Sequence, residues 1–275
     1  MKELNLESTV ELNNGVKIPL LGLGTYLATG DTCYRAVREA IKVGYRHIDT
    51  AMMYDNEEEI GKALRDDDVS REEIFVTTKL WNSDHGYEKT KAAFEGSLER
   101  LGLEYIDLYL IHWPVQGKRL DSWRAMEELY KEGRCRAIGV SNYMSWHLDE
   151  LLKVTKVVPV VNQIEFHPWL YLRELQEYCR EKNIWIQAYS PLTKGRMIND
   201  PSLKEIANKY NKSTAQILIR WCLQKDTIVL PKSSNIYHIM ENVEVFDFEI
   251  TKEDMKILDG FHRNMRVTWD PTTQP

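Results

Sequence analysis

The sequence predicts a closed (β/α)8 barrel, a TIM barrel, on three observations. Eight short apolar runs alternate with amphipathic helical stretches along the chain. The interval between runs is about the length of a right-handed crossover unit. No Pro/Gly/Ser-rich linker or charge block divides the chain, so one domain is read over 1–275. The rival with the same alternation, a doubly wound open sheet, requires G-x-G-x-x-G after its first strand. Here Gly22-Leu23-Gly24-Thr25-Tyr26-Leu27 lacks the third glycine.

The elements follow in order. Val10 and Leu12 precede Asn14-Gly15, and Val16 and Ile18 follow it, which predicts an N-terminal β-hairpin turning through positive φ at that pair. Pro19–Gly24, His47–Asp49, Ile74–Leu80, Leu108–Ile111, Ala137–Ser141, Val160–Glu165, Trp185–Tyr189 and Thr227–Pro231 read as the barrel strands. Between them, Tyr87–Leu101 carries Ala92, Phe94, Leu98 and Leu101 at near-helical spacing, and Asp149–Leu152 reads as helix behind a cap at Ser145.

Composition narrows the partners. The 42 acidic against 36 basic side chains give a net charge of −6, and the basic residues are scattered, so nucleic acid and anionic membrane are not expected. A small soluble molecule is the expected partner. Cys33, Cys135, Cys179 and Cys222 are too far apart to form a C-x-x-C pair and read as reduced thiols. The acidic N-terminus lacks a signal-peptide pattern, and no apolar stretch approaches the roughly 20 residues of a membrane span. A cytoplasmic location is the expectation, and a monomer follows from the lack of a heptad seam.

Barrels of this kind carry their chemistry at the C-terminal ends of the strands. Asp49, Lys79 and His112 fall at or near such ends, and Tyr54 follows Asp49 by five residues. Lys79 sits in the apolar run Val76-Thr77-Thr78-Lys79-Leu80-Trp81, so its burial requires a carboxylate, and Asp49 is the natural partner. Such a pair is either purely structural or part of a site. A phenol at Tyr54 beside that ammonium is expected to have a lowered pKa and to serve as a proton donor to a carbonyl oxygen. His112 is read either as a core histidine or as a hydrogen-bond donor to the same oxygen. Trp81 and Trp113 wall an apolar pocket or pack its rim.

The seven histidines form no H-x-x-x-H pair, and Glu165 with His167 is too small a set for a metal site. Gly139-Val140-Ser141-Asn142-Tyr143 does not complete G-x-S-x-G, so Ser141 and Asn142 suit amide recognition or a strand-end turn. Leu230-Pro231-Lys232-Ser233-Ser234 places a cation and hydroxyls after the eighth strand, where barrels commonly bind phosphate. Tyr189 offers a flat face for a ring to stack on, or is a structural tyrosine.

Three segments together resemble the signatures of the aldo-keto reductase superfamily, nearly end to end from Val10 to Gly260. They are Gly44-Tyr45-Arg46-His47-Ile48-Asp49-Thr50-Ala51 with Tyr54, Asn56-Glu57 and Gly61; Arg136-Ala137-Ile138-Gly139-Val140-Ser141-Asn142-Tyr143; and Leu230-Pro231-Lys232-Ser233 through Glu241-Asn242. The resemblance implies NADPH-dependent reduction of a small carbonyl substrate, with Tyr54 as general acid, Lys79 and Asp49 tuning it, and His112 orienting the carbonyl. It implies Ser141, Asn142 and Gln163 on the nicotinamide carboxamide and Tyr189 stacked on the ring. Gly24, Thr25, Asp49, Ser190 and Leu192 match further cofactor positions, and Lys232, Ser233, His238, Glu241 and Asn242 match those around the 2′-phosphate and adenine. Where the family usually has arginine, this chain has His238. A histidine is charged only below about pH 6.5 and makes no bidentate fork, so NADH tolerance is expected.

The chain runs about 15 residues past Gly260, and the segment after His112 is brief, so both substrate loops read as short. This resembles the compact microbial branch, similar to its 2,5-diketogluconate, glyoxal and methylglyoxal reductases and prostaglandin F synthases. Small aldehydes, dicarbonyls and keto-sugars are the expected substrates, with Tyr26, Trp81, Trp113 and Trp269 as pocket walls beside Tyr54 and His112. Two other readings stay open: a non-catalytic NADP(H)-binding subunit or redox sensor, and a barrel isomerase or lyase using Lys79 as a Schiff base.

Overall fold

The computed structural model describes residues 4–273 of the chain; residues 1–3 and 274–275 of the 1–275 span lie outside the described residues. It opens with the antiparallel pair β1 (Thr9–Glu11) and β2 (Lys17–Pro19), in which Val10 faces Ile18. The turn differs from expectation. Only Gly15 takes a positive φ (82°), and Leu12 N–H reaches Val16 O at 2.9 Å across a three-residue loop. Asn14 keeps ordinary backbone angles, so the glycine alone supplies the left-handed residue that such a loop needs.

Eight parallel strands follow, with helices between them. The first half comprises β3 (Leu23–Gly24), α1 (Gly30–Val43), β4 (His47–Asp49), α2 (Glu57–Arg65), β5 (Phe75–Leu80), α3 (Tyr87–Leu101), β6 (Ile106–Ile111), α4 (Arg119–Lys131), β7 (Cys135–Ser141) and α5 (Ser145–Leu152). The second half comprises β8 (Val161–Glu165), α6 (Arg173–Glu181), β9 (Trp185–Tyr189), α7 (Pro201–Tyr210), α8 (Thr214–Gln224), β10 (Ile228–Leu230), α9 (Ile236–Glu241) and α10 (Lys252–Asp259). β3 through β10 pair in chain order. The ring is closed by Val229 N–H to Leu20 O (2.8 Å), Gly22 N–H to Val229 O (2.9 Å) and Gly24 N–H to Pro231 O (3.0 Å). The barrel and its hairpin stand as the sequence predicts. Among the described residues no helix is long and apolar enough to cross a membrane.

Several expected boundaries change, β6 and β7 each starting two residues earlier than expected, at Ile106 and Cys135, and three other strands shifting by one residue at one end or both. Pro19–Gly24 is not one strand: Pro19 ends the hairpin, and only Leu23–Gly24 belongs to the barrel. Ser145 is the first helical residue of α5 and not its cap. Met144 occupies that position, its N–H donating to His147 Nδ1 at 3.0 Å.

β5 and β6 are buried along their whole lengths because the helices cover one face and the barrel interior the other. Leu12 and Ile18 of the hairpin pack against Phe75, Leu108, Ala137, Val161 and Ile228, near the strand starts. The hairpin therefore plugs the N-terminal mouth and leaves the opposite end for a site. At Gly61 an added Cβ would lie 2.0 Å from Leu101 O, so only glycine lets α2 pack this closely on the end of α3.

Candidate active site

Register brings the ionisable residues together. Asp49 pairs with Thr77 across β4 and β5, and alternate strand residues share a face, so Lys79 projects on the same side as Asp49. Lys79 Nζ donates to Asp49 Oδ1 (2.6 Å) and Thr50 O (2.6 Å), leaving a third N–H of the ammonium uncommitted to these two. Gln163 Nε2 donates to Asp49 Oδ2 (2.7 Å) and to Gln187 Oε1 (2.8 Å). Burial pushes the Asp49 carboxyl up and the Lys79 ammonium down in pKa, each partly opposed by the other's charge.

Tyr54 ends a short 3-10 turn, Met52–Tyr54, that stops at Asp55 with a left-handed φ of 53°. Its ring lies 5.7 Å from the His112 ring and 5.1 Å from the Tyr26 ring, and Lys79 Nζ stands 5.0 Å from its centroid. The expectation of a lowered phenol pKa is overturned. Burial, with the Asp49 charge behind it, pushes Tyr54 well above the usual tyrosine value, because the Lys79 ammonium is already answered by a carboxylate. His112 goes the other way. Burial and the nearby Lys79 charge hold its imidazole well below the ordinary histidine value, so it is neutral at neutral pH.

Neighbouring side chains fix this cluster. Asn56 Nδ2 donates to Thr25 O (3.0 Å) and Ala28 O (2.8 Å), while its Oδ1 accepts from Thr50 Oγ1 (2.5 Å). Glu57 accepts from Thr78 Oγ1 (2.5 Å) and Arg100 Nε (2.8 Å). The segment around Tyr54 is thus tied to both the loop after β3 and β5.

A groove of about 760 Å³ runs across this end of the barrel, within the size range of ligand sites. Every barrel strand except β5 lends it a wall residue, from within the strand for β3, β4, β8, β9 and β10 and from just past its end, at His112 and Asn142, for β6 and β7. Of the sequence-predicted positions, Gly24, Thr25, Tyr26, Asp49, Tyr54, His112, Trp113, Asn142, Gln163, Tyr189, Ser190, Leu192, Lys232, Ser233, His238, Glu241, Asn242 and Trp269 all line it. Three do not. Lys79 is buried beneath the floor. Ser141 Oγ is turned inward, donating to Gln163 O (2.8 Å) and accepting from Asn142 Nδ2 (3.1 Å). Trp81, expected as a wall, is set back and packs its ring 5.1 Å from His112 and 6.1 Å from Trp269.

Asn142 is also largely committed. It adopts a left-handed φ of 63°, donates to His112 O (3.0 Å) and accepts from the Tyr189 hydroxyl (2.7 Å). Asn242 is the opposite case: both amide atoms are buried at the groove without a partner. An unpaired buried amide is costly, and a heterocyclic base edge offers the donor and acceptor that would satisfy it. At Gly24 an added Cβ would stand 3.3 Å from Leu230 O, so the glycine lets the end of β3 lie close against the end of β10 at the groove wall. On α9, His238 Nδ1 sits 3.3 Å from Glu241 Oε2, and Lys232 Nζ donates to Ser234 Oγ (2.7 Å). These features fit a dinucleotide.

Residues that sequence reasoning missed also line the groove, among them Met53, Lys194, Thr214 and Thr268. Lys194 Nζ lies 5.2 Å over the Tyr26 ring, carried there by a left-handed turn through Thr193, Lys194 and Gly195. Only Gly195 signalled that turn in the sequence.

Fold and groove together define a parallel barrel with Tyr54 and His112 gathered at the C-terminal end of its strands, beside a buried Lys79–Asp49 ion pair. The chain belongs to the aldo/keto reductase family, whose model matches residues 20–263, and it is accordingly an oxidoreductase. It is 50% identical over 268 residues to the glyoxal reductase of Bacillus subtilis (strain 168), covering 97% of each chain. It is 52% identical over 266 residues to the 9,11-endoperoxide prostaglandin H2 reductase of Trypanosoma cruzi (strain CL Brener), covering 95% of this chain and 94% of that one. A Bombyx mori aldo-keto reductase solved in complex with NADP superposes with a TM-score of 0.90 at 38% identity, covering 95% of this chain and 94% of that one.

Proposed function

We propose that this chain reduces small aldehydes, dicarbonyls and keto-sugars to alcohols with NADPH, with Tyr54 as the proton donor. The observation that carries the reading is the edge-on contact of Tyr54 with His112 while the Lys79 ammonium, buried and paired with Asp49, stands 5.0 Å from the Tyr54 ring centroid. The relatives' names and the NADP held by the silkworm enzyme support the reaction class and the cofactor.

When bound, the cofactor supplies a hydride equivalent to the carbonyl carbon. The chain supplies the rest. A neutral His112 donates a hydrogen bond to the carbonyl oxygen and orients it. The Tyr54 hydroxyl transfers its proton to that oxygen as negative charge gathers there, so the C=O bond becomes C–OH and the phenol becomes phenolate. A raised pKa keeps Tyr54 protonated until that moment, and the Lys79 ammonium, held by Asp49, then faces the phenolate until water returns a proton. Tyr26, Trp113 and Trp269 supply apolar walls that keep bulk water off the reacting carbon. Asn242, by both atoms of its amide, and Gln163, by its amide oxygen, would hold the two ends of the dinucleotide.

The test is turnover of a panel of glyoxal, methylglyoxal and short aldehydes with NADPH, measuring alcohol formed per cofactor consumed. One-to-one stoichiometry is expected. NADPH binding by fluorescence with no turnover of any carbonyl would replace this reading with that of a binding subunit.

We further propose that His238 leaves NADH tolerated. His238→Arg should raise the NADPH-over-NADH ratio of kcat/KM by roughly tenfold, since it adds a charge-assisted bond to a 2′-phosphate. A strong NADPH preference in the wild type that arginine leaves unchanged would contradict this.

A further inference from the structure

Glu165 ends β8 and pairs with Tyr189 across the sheet, and it is buried although none of the roles above uses it. Its Oε1 accepts from Val267 N–H (2.7 Å) and from His167 Nε2 (2.9 Å). Its Oε2 accepts from Thr268 N–H (3.0 Å) and from the Thr268 hydroxyl. One carboxylate therefore takes three donors from two adjacent residues about a hundred positions further along the chain. Burial works to raise its pKa, but these hydrogen bonds outweigh it and hold the carboxyl below the usual range.

The next residue is Trp269, which is 60% exposed, lines the groove and sets its ring 5.6 Å from Trp113 and 6.1 Å from Trp81. Further back, the loop after β8 already grips the same segment. Arg263 and Met265 donate their N–H groups to Trp169 O (3.2 and 3.1 Å), and the Trp169 and Phe261 rings stack at 5.3 Å. Beyond Met265, among the described residues, the polar ties from 266–270 to the barrel converge on Glu165, joined only by Thr268 Oγ1 lying 3.0 Å from the Tyr189 hydroxyl. The Arg266–Asp270 ion pair (3.1 Å) spans the segment itself and adds no anchor.

We propose that Glu165 is a positioning residue that latches the C-terminal segment across the barrel mouth, and so sets where Trp269 closes over the carbonyl site. A carboxylate is required because its two oxygens together offer about four lone-pair sites, enough for every converging donor. Glutamine keeps the shape but turns an NH2 toward at least one of them, leaving a buried donor unpaired.

The substrate side of this proposal rests on the carbonyl-reduction reading, so the experiment has an arm that needs no turnover. Trypsin cleavage after Arg263 and Arg266, followed by mass spectrometry, reads the latch directly. Glu165→Gln should release the C-terminal peptide about tenfold faster than wild type, as expected when a segment loses its buried hydrogen bonds. Equal release rates would overturn the latch. In the kinetic arm, Glu165→Gln should raise KM for the aldehyde about tenfold while the NADPH Kd, by fluorescence, stays within about twofold. In a Trp269→Ala background the same substitution should have no further effect on KM, because the latch acts through that ring. Additive effects, or an equal loss of NADPH affinity, would mean that Glu165 merely stabilises the barrel. Thr268→Val, which removes one donor and leaves the carboxylate in place, makes the same comparisons should Glu165→Gln fail to fold. Failure of the wild type to reduce any carbonyl would remove the functional reading, and the cleavage rates alone would then decide the latch.

Discussion

The Lys79–Asp49 pair is the residue-scale foundation of the site, and its energetics are asymmetric. Two opposite charges at 2.6 Å, out of water, roughly repay their desolvation, but either alone does not. Lys79→Met should therefore destabilise the fold by about 3–5 kcal/mol, and Lys79→Met with Asp49→Asn should recover much of that loss. Urea unfolding of the three proteins checks this, and a double variant no better than the single one would contradict it. Neither variant should support fast turnover. The pairing was legible because a lysine inside an apolar strand demands a carboxylate. The third partner was not: Gln163 donates to Asp49 from 114 positions away, and only the barrel's closure brings them together. Tyr54's acidity was misread for a related reason, since the sequence shows the lysine and its carboxylate but not how deeply the Tyr54 phenol itself is buried.

At the scale of elements, the hairpin does structural work far from the site. Ile18 is fully buried against the strand starts, so Ile18→Ala should cost about 2–5 kcal/mol in chemical unfolding while leaving the aldehyde KM unchanged. A changed KM would mean that the plug communicates with the opposite mouth. The strands themselves were readable because they are buried on both faces and so form continuous apolar runs. Where one run served two elements, as from Pro19 to Gly24, the boundary was invisible. The turn at Gly15 and the start of α5 at Ser145 depend on hydrogen bonds that composition does not encode. The loops over the groove were the least legible part, since Lys194 and Thr268 reach it through backbone shapes and long-range ties.

For the whole molecule, the buried histidines set the acid limit of stability. Burial lowers His47 from 6.5 to about 3 and His85 from 6.5 to about 4. Below pH 6.5 the unfolded chain binds protons at these rings that the folded chain refuses, so stability falls as pH drops from 6.5 toward 4. Tm measured across that range should decline, and His47→Gln should make the decline shallower; an unchanged slope would show that other groups govern it. The proposed reaction depends throughout on Tyr54 as the proton donor beside the buried pair. Its most direct test is kcat for methylglyoxal with saturating NADPH in wild type and Tyr54→Phe, with the NADPH Kd of each measured by fluorescence. Loss of the phenolic proton should lower kcat by roughly 10²–10⁴ and leave Kd within about twofold. A phenylalanine variant that keeps kcat within about tenfold of wild type would contradict the account, since general-acid removal cannot be that mild.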